Sequence, residues 1–293
     1  MGDPVGRCAD HRRSAVTTVG RVMSLLPEEF MSSIASRPNA VRLRAGWWAR
    51  ALSPAALVLA WQVASATGAL PPRLLTSPAT VVRTAWDLIA AGTLQHAITV
   101  SLGRAATGFA IGAVLGIGLA VLAGLSRFAE YLVDPPVQML RTVPFYGLIP
   151  LLILWFGIGE PPKIVLVAFG VAIPLYLNTF AGIRGVDPKL AELAEVQRLG
   201  RLQLIGHIVL PGALPQTLVG LRQSLGVAWL ALIVAEQVNA DAGLGYLIND
   251  ARDFLRTDVI VVGLLVYGAL GLLTDALVRL IERKALVWRR NFR

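Results

Sequence analysis

The stretch "DPKLAELAEVQRLGRLQLIGHIVLPGALP", residues 187–215, sets a polar, helix-forming segment between two long apolar runs. Asp187 and Pro188 stand where an N-cap and a first helical residue belong, and Leu190, Leu193 and Ala194 then form an apolar stripe beside Glu192, Glu195 and Arg198. A second short helix is expected from about Arg201 to Val209, presenting Leu202, Ile205 and Ile208. Amphipathic helices this short do not persist alone in water, because nucleation outweighs the few hydrogen bonds they close. They need something to dock against, either a partner protein or a layer of lipid headgroups.

The rest of the chain says which kind of protein carries such a segment. Of its 293 residues 55% are hydrophobic and only 15% charged, and the mean hydropathy is +0.64. That composition belongs to a polytopic membrane protein. The net charge of +9 does not point to nucleic acid, since the basic residues flank apolar runs and build no charged face with interleaved aromatics. A single cysteine, Cys8, excludes an intrachain disulfide and a thiolate metal cluster, and three scattered histidines make no ligand set. No bound metal or cofactor is expected.

Four charge-free windows approach the roughly 20 residues that a hydrocarbon core requires: residues 51–70, 105–126, 142–159 and 164–183. Two more follow if single ionisable residues are tolerated, 216–238 with Arg222 and Glu236, and 259–278 with Asp275. An all-α protein with six transmembrane helices is the expectation. Nineteen lysines and arginines fall in one alternate set of connections and five in the other, so both termini and the 187–207 segment are expected on the cytoplasmic side. Residues 1–46 are arginine-rich without the apolar core of a secretory signal and read as a disordered, basic cytoplasmic tail ahead of a membrane domain at 47–293. An upstream start is the plainer alternative, with Met23 or Met31 opening the native chain.

Several shorter patterns add detail. Ser77 and Pro78 open a helix whose apolar side, Val81, Val82, Ala85, Trp86, Leu88 and Ile89, suits an outer membrane interface. Gly108, Gly112 and Gly116 recur every fourth residue, a stripe that lets two helix backbones approach. Pro144, Pro150, Pro161, Pro162 and Pro174 interrupt the third and fourth spans, which are then either pathway walls or ordinary kinked helices. The polar stretch 239–257 is expected to form a short outer helix, either a landing site for a binding protein or a purely structural loop.

Glu192, Leu193 and Ala194, followed at the right distance by Ile208, Val209, Leu210 and Pro211, resemble the EAA loop of binding-protein-dependent ABC importer permeases. Residues from about 70 to 290, including "LRTVPFYGLIPLLILWFGIGEPPK" from Leu140 and the stretch with Glu236, Gly243, Gly245, Tyr246, Ala251, Arg252 and Asp258, are similar to the nitrate, sulfonate and taurine group of these permeases. Within it they look most like aliphatic sulfonate permeases. The resemblance implies a type I ABC importer (MetI-like) fold in the bacterial inner membrane. It also implies a second permease copy, giving a homodimer, two ABC ATPase subunits and a periplasmic or lipid-tethered substrate-binding protein. ATP and Mg would be used by the ATPase, because the chain has no G-x-x-x-x-G-K-[ST] loop to cradle nucleotide phosphates.

On the same resemblance Glu192, Leu193, Ala194, Glu195, Arg198, Gly200, Leu202, Ile208, Leu210 and Pro211 would couple the permease to the ATPase. Glu192 and Glu195 would meet basic groups while Leu193 and Leu202 fill a cleft. The copy departs from the family at Leu193, where an alanine is usual, and at Arg198, where the family has glycine. Unless Arg198 adopts the glycine's backbone conformation, the turn shifts to Gly200. For a monoanionic substrate, Arg141, Arg222 and Glu236 are the candidate pathway residues. Both arginines also lie near enough to the cytoplasmic end to snorkel, and Glu236 and Asp275 have the alternative role of holding structure. Permeases for nitrate, taurine or a thiamine precursor, and a passive anion channel, are the competing functions. A membrane-embedded enzyme is disfavoured, since Glu236 and Asp275 fall near opposite ends of their spans.

Overall fold

The computed structural model describes residues 47–71 and 74–286. The expected tail at 1–46, Arg73 and the last basic residues lie outside the described residues. Helices account for all the regular structure among the described residues, with no strand. The chain divides into two compact units between Val58 and Leu59. The described part of the first is the opening of α1 (Trp47–Ala66), and the remainder of the fold belongs to the second.

Helix α2 (Pro78–Ala90) starts as the sequence predicts, with Ser77 Oγ accepting from the Thr80 amide and Pro78 in the first turn. Its apolar side is split. Val81 and Thr84 are buried while Val82 and Trp86 point outward, so α2 packs against the protein core as well as presenting an apolar edge. Thr84 also donates to Asp258 at 2.8 Å, which pins α2 to the last helix.

Among the described residues, four helices are long and apolar enough to cross a bilayer. These are α3 (Thr93–Leu125), α6 (Glu160–Arg184), the continuous helix ending in α9 (Leu210–Asn239), and α11 (Thr257–Ala285). The other two expected spans are shorter apolar helices, α1 and α5 (Phe145–Phe156). At 12 residues α5 is about 18 Å long. Pro144 precedes its first turn, and Gly157, at φ +75°, and Gly159, at φ +152°, end it.

Helix α6 is packed between α3 and α9 and forms the centre of the second unit. An ideal Cβ on Gly108 would sit 2.7 Å from Val167 Cβ, one on Gly112 2.4 Å from the Ala168 carbonyl, and one on Gly116 2.6 Å from the Ala172 carbonyl. The four-residue glycine stripe is therefore the contact face of α3 on α6. Leu166, Val167 and Val171 of α6 lie wholly inside with Leu232 of α9.

One helix is absent from the sequence reading, which treats 127–140 as a connection. Helix α4 (Arg127–Leu140) is capped by Ser126 and tolerates Pro135 and Pro136. Its Val133 and Val137 pack on Ala120, Ala123 and Tyr176, and tertiary burial here outweighs the poor helix propensity of a proline pair.

Candidate functional site

The polar segment that follows α6 folds from its own local signals. Asp187 Oδ1 accepts from the Lys189 amide at 2.9 Å and opens α7 (Pro188–Val196). The helix ends where Leu199 N–H donates to the Ala194 carbonyl at 2.9 Å across a left-handed residue, the arrangement of a Schellman cap. That residue is Arg198, at φ +54°. The left-handed turn therefore sits at Arg198 itself, and Gly200, at φ −68° and ψ 159°, is ordinary extended backbone. Holding a non-glycine residue in this region costs about 1–2 kcal/mol.

The second short helix expected at 201–209 is not a separate element. Helix α8 (Arg201–Leu204) runs through a π turn at Ile205–Val209 directly into α9, giving 38 continuous helical residues from Arg201 to Val238. Pro211 has no N–H to offer and its ring would clash with the carbonyl four residues earlier in a regular helix. The wider turn meets this crowding, and the Leu210 amide bonds to Ile205 O, five residues back.

The proposed coupling residues face different ways. Ala194 is 2% exposed and turned inward, whereas Leu193 is 51% and Leu202 85% exposed. Val196 is as open as Leu202, Leu210 is exposed, and Ile208 is half-buried. Glu192, Arg198, Gly200 and Pro211 are at the surface. The side chain of Glu195 lies outside the described set. Leu193, Val196 and Leu202 thus form a patch of large apolar side chains on an otherwise polar surface segment.

At the opposite end of α6, some 37 Å away for its 25 residues, the structure gathers charges that the sequence had scattered. Arg104 of α3 forks onto Glu160, with Nε to Oε2 and Nη2 to Oε1 both 2.6 Å. Its Nη1 donates to Glu236 Oε1 at 2.8 Å and to the Ala242 carbonyl at 2.6 Å. Glu236, on α9, is 1% exposed. Ser101 Oγ lies 2.8 Å from both of its oxygens, Gly245 N–H donates at 2.8 Å and Tyr267 OH at 3.0 Å. Buried Lys163 contacts Glu160 at 3.1 Å.

Two glycines quoted above acquire a reason in this cluster. A Cβ on Gly243 would fall 2.5 Å from Glu236 Oε1, and one on Gly245 2.5 Å from Glu236 Cβ. Gly243 also stands at φ +114°, so the entry to α10 (Leu244–Asp253) closes over the carboxylate only because both side chains are missing. The expected outer helix within 239–257 is α10 itself.

The three pathway candidates are separated. Glu236 is held within this cluster, and its arginine is Arg104. Arg222 is partly exposed and bridges α9 to α11 through Asp275 at 3.3 Å and Glu282 at 2.5 Å, with Arg279 on the other Asp275 oxygen at 2.8 Å. Arg141 caps α4, is exposed, and has no acidic partner among the described residues. Sequence reasoning passed over Arg104, Glu160, Lys163, Ser101 and Tyr267. The available signal is that Arg104 is the one charged residue in the whole of a 33-residue apolar helix.

The family model for the binding-protein-dependent transport system inner membrane component matches residues 112–287. A Bacillus subtilis (strain 168) protein described as the aliphatic sulfonates transport permease SsuC is 45% identical over 267 residues, covering 91% of this chain and 96% of its own length. Its Escherichia coli (strain K12) counterpart is 49% identical over 235 residues, 80% of this chain and 89% of that one. The Escherichia coli taurine transport permease TauC is 34% identical, over 67% of this chain and 71% of its own. Among solved structures, an inward-facing methionine ABC transporter superposes with a TM-score of 0.54 at 19% identity, over 64% of this chain and 96% of that one. The last likeness carries the fold and nothing finer.

Proposed function

Because the chain belongs to the family of binding-protein-dependent transport system inner membrane components, we propose that it is the permease subunit of an ATP-driven importer for aliphatic sulfonates. The substrate class rests on identities of 45% and 49% to two sulfonate permeases, against 34% to a taurine permease. ATP, with Mg, is bound and hydrolysed by separate ATPase subunits. Two copies of this chain pair in the membrane, and a substrate-binding protein delivers cargo to the end that carries α10. The termini and α7 lie on the cytoplasmic side.

The observation that carries this reading is the outward exposure of Leu193 and Leu202 on the turn between two long helices. Each fills the ATPase cleft, Glu192 and Glu195 meet basic groups at its rim, and inward-facing Ala194 lets α7 lie flat. Arg198 supplies the turn, Gly200 starts the next helix, and Ile208, Leu210 and Pro211 join it to the span. ATP-driven closure of the ATPase pair then moves α7 and the start of the 38-residue helix together, and that free energy shifts the permease between its two access states. Arg141 serves as a cytoplasmic-end anchor, Arg222 as a tie between α9 and α11, and Glu236 as a fixed post beside the pathway.

Two experiments test the proposal. Leu193→Asp and Leu202→Asp should each abolish co-purification of the ATPase subunit and uptake while leaving the permease in the membrane; retention of both functions overturns the docking assignment. A deletion strain offered alkanesulfonates, taurine or nitrate singly should lose labelled alkanesulfonate uptake, restored by the intact gene and not by one disrupted at 187–207. Unchanged alkanesulfonate uptake, in a strain without a second importer, overturns the substrate. Flux through the isolated chain without ATP would instead mark a passive channel.

A further inference from the structure

Between the buried ion cluster and α7, three carboxamides line up across α6 and α9. Asn178 Nδ2 donates to the Pro174 carbonyl at 2.8 Å and to Gln223 Oε1 at 2.8 Å, and Gln216 Nε2 donates to Asn178 Oδ1 at 3.0 Å. The orientation of this relay is fixed, because a backbone carbonyl can only accept and so selects the nitrogen of Asn178. That choice propagates. Gln216 must present its nitrogen to Asn178 and Gln223 its oxygen, which leaves both N–H groups of Gln223 at the free end without a partner among the described residues. Head-to-tail amides polarise one another, so Gln223 is the positive end of the row.

The location is unusual for such groups. Gln216 and Gln223 are exposed, yet both lie within the apolar helix Arg201–Val238, and Gln223 sits about 22 Å along it from Val238. At that depth an exposed amide facing lipid would go unsatisfied, and polar groups inside spans face protein or a water-filled path. Gly220 shows the row is built in, since a Cβ there would meet Asn178 Cβ at 2.7 Å. The neighbouring cation, Arg222, is already matched by Asp275 and Glu282.

We propose that the Gln223 carboxamide, at the donor end of the Gln216–Asn178–Gln223 row, lines the translocation path and hydrogen-bonds the sulfonate oxygens in transit. This rests on the importer reading above. Neutral donors attract an anion without trapping it, which passage requires, and Asn178 acts as the positioning residue that aims them.

The test uses the assembled transporter in proteoliposomes, with the lone cysteine removed by Cys8→Ser and Gln223→Cys added. The reagent is sulfonatoethyl methanethiosulfonate, itself a small alkanesulfonate. Modification that stops uptake, and that is slowed by excess alkanesulfonate with loaded binding protein, is the expected result. No modification in any nucleotide state overturns the proposal. So does a disulfide between the introduced thiols of two copies with no reagent access, which would put this face in the permease pair's interface.

Should that variant not assemble, the isosteric Gln223→Glu carries the test. Uptake should fall by at least about tenfold, as expected when a hydrogen bond to a charged group is replaced by repulsion, while binding-protein-stimulated ATP hydrolysis persists; unchanged uptake overturns it. If the parent protein imports no alkanesulfonate yet the thiol remains accessible, the substrate reading fails and the path assignment stands.

Discussion

Arg104 is the side chain on which most of the outer cluster depends. Its removal leaves the Glu236 carboxylate buried without its cation, a loss of about 3–5 kcal/mol. Arg104→Met should therefore greatly reduce folded protein in the membrane and the thermal midpoint in detergent. Adding Glu236→Leu should recover part of that loss, because the second change removes the stranded charge. Independent, additive losses would show that the two residues do not act as a pair. Arg198→Gly makes the opposite prediction: relieving the left-handed strain should stabilise α7's cap by about 1 kcal/mol, read as slower hydrogen exchange at the Leu199 amide with transport retained. These residues differ in how far the sequence revealed them. The turn at 198–200 was visible as a local pattern, although the choice of Arg198 over Gly200 was not, since it is decided by the Leu199 hydrogen bond to Ala194. Arg104 meets carboxylates 56 and 132 residues away, and no local spacing encodes such a meeting.

Among the helices, the contact between α3 and α6 gives the sharpest contrast. Gly112 faces the Ala168 carbonyl at a distance no side chain fits, whereas Gly118, on the same helix, has nothing within 4 Å. Gly112→Leu should prevent α3 from seating on α6, seen as loss of folded permease by thermal unfolding in detergent. Gly118→Ala should be neutral or slightly stabilising, by up to about 1 kcal/mol of helix propensity. The stripe was readable because its four-residue period is a property of one helix alone. Hydropathy likewise located α3, α6, α9 and α11. It could not give α4, whose proline pair argues locally against a helix and whose half-buried Val133 and Val137 pack on the buried Ala120, Ala123 and Tyr176 cluster. Nor could it join residues 201–209 to α9, because a π turn carries no distinct composition and looks like the end of one helix and the start of another.

On the scale of the whole molecule, α7 and the ion cluster lie at opposite ends of the helix α6, so under the proposed coupling any motion delivered at α7 has to pass along α6 and α9 to reach the far end. Arg222 ties α9 to α11 along that route. Because Asp275 keeps Arg279 as a second partner, Arg222→Gln should leave the permease assembled while lowering uptake in reconstituted transporters; loss of assembly would make Arg222 a structural residue instead. The broad architecture was legible because membranes impose a simple rule of length and polarity on every span. What joins the spans was hidden, since polar contacts between helices depend on side chains brought together only by packing. The ion cluster itself contains two cations, buried Arg104 and Lys163, and two anions, buried Glu236 and half-exposed Glu160. Its charges cancel, so a transmembrane voltage exerts no net force on it, and carrying it as a rigid unit along the field does no electrical work. If the proposed cargo is a monoanion and the cluster travels as a rigid unit, import against an interior-negative potential, about 2.3 kcal/mol per 100 mV, should show an apparent valence of one, borne by the cargo; a larger value in voltage-clamped proteoliposomes would show that charges of the protein move as well.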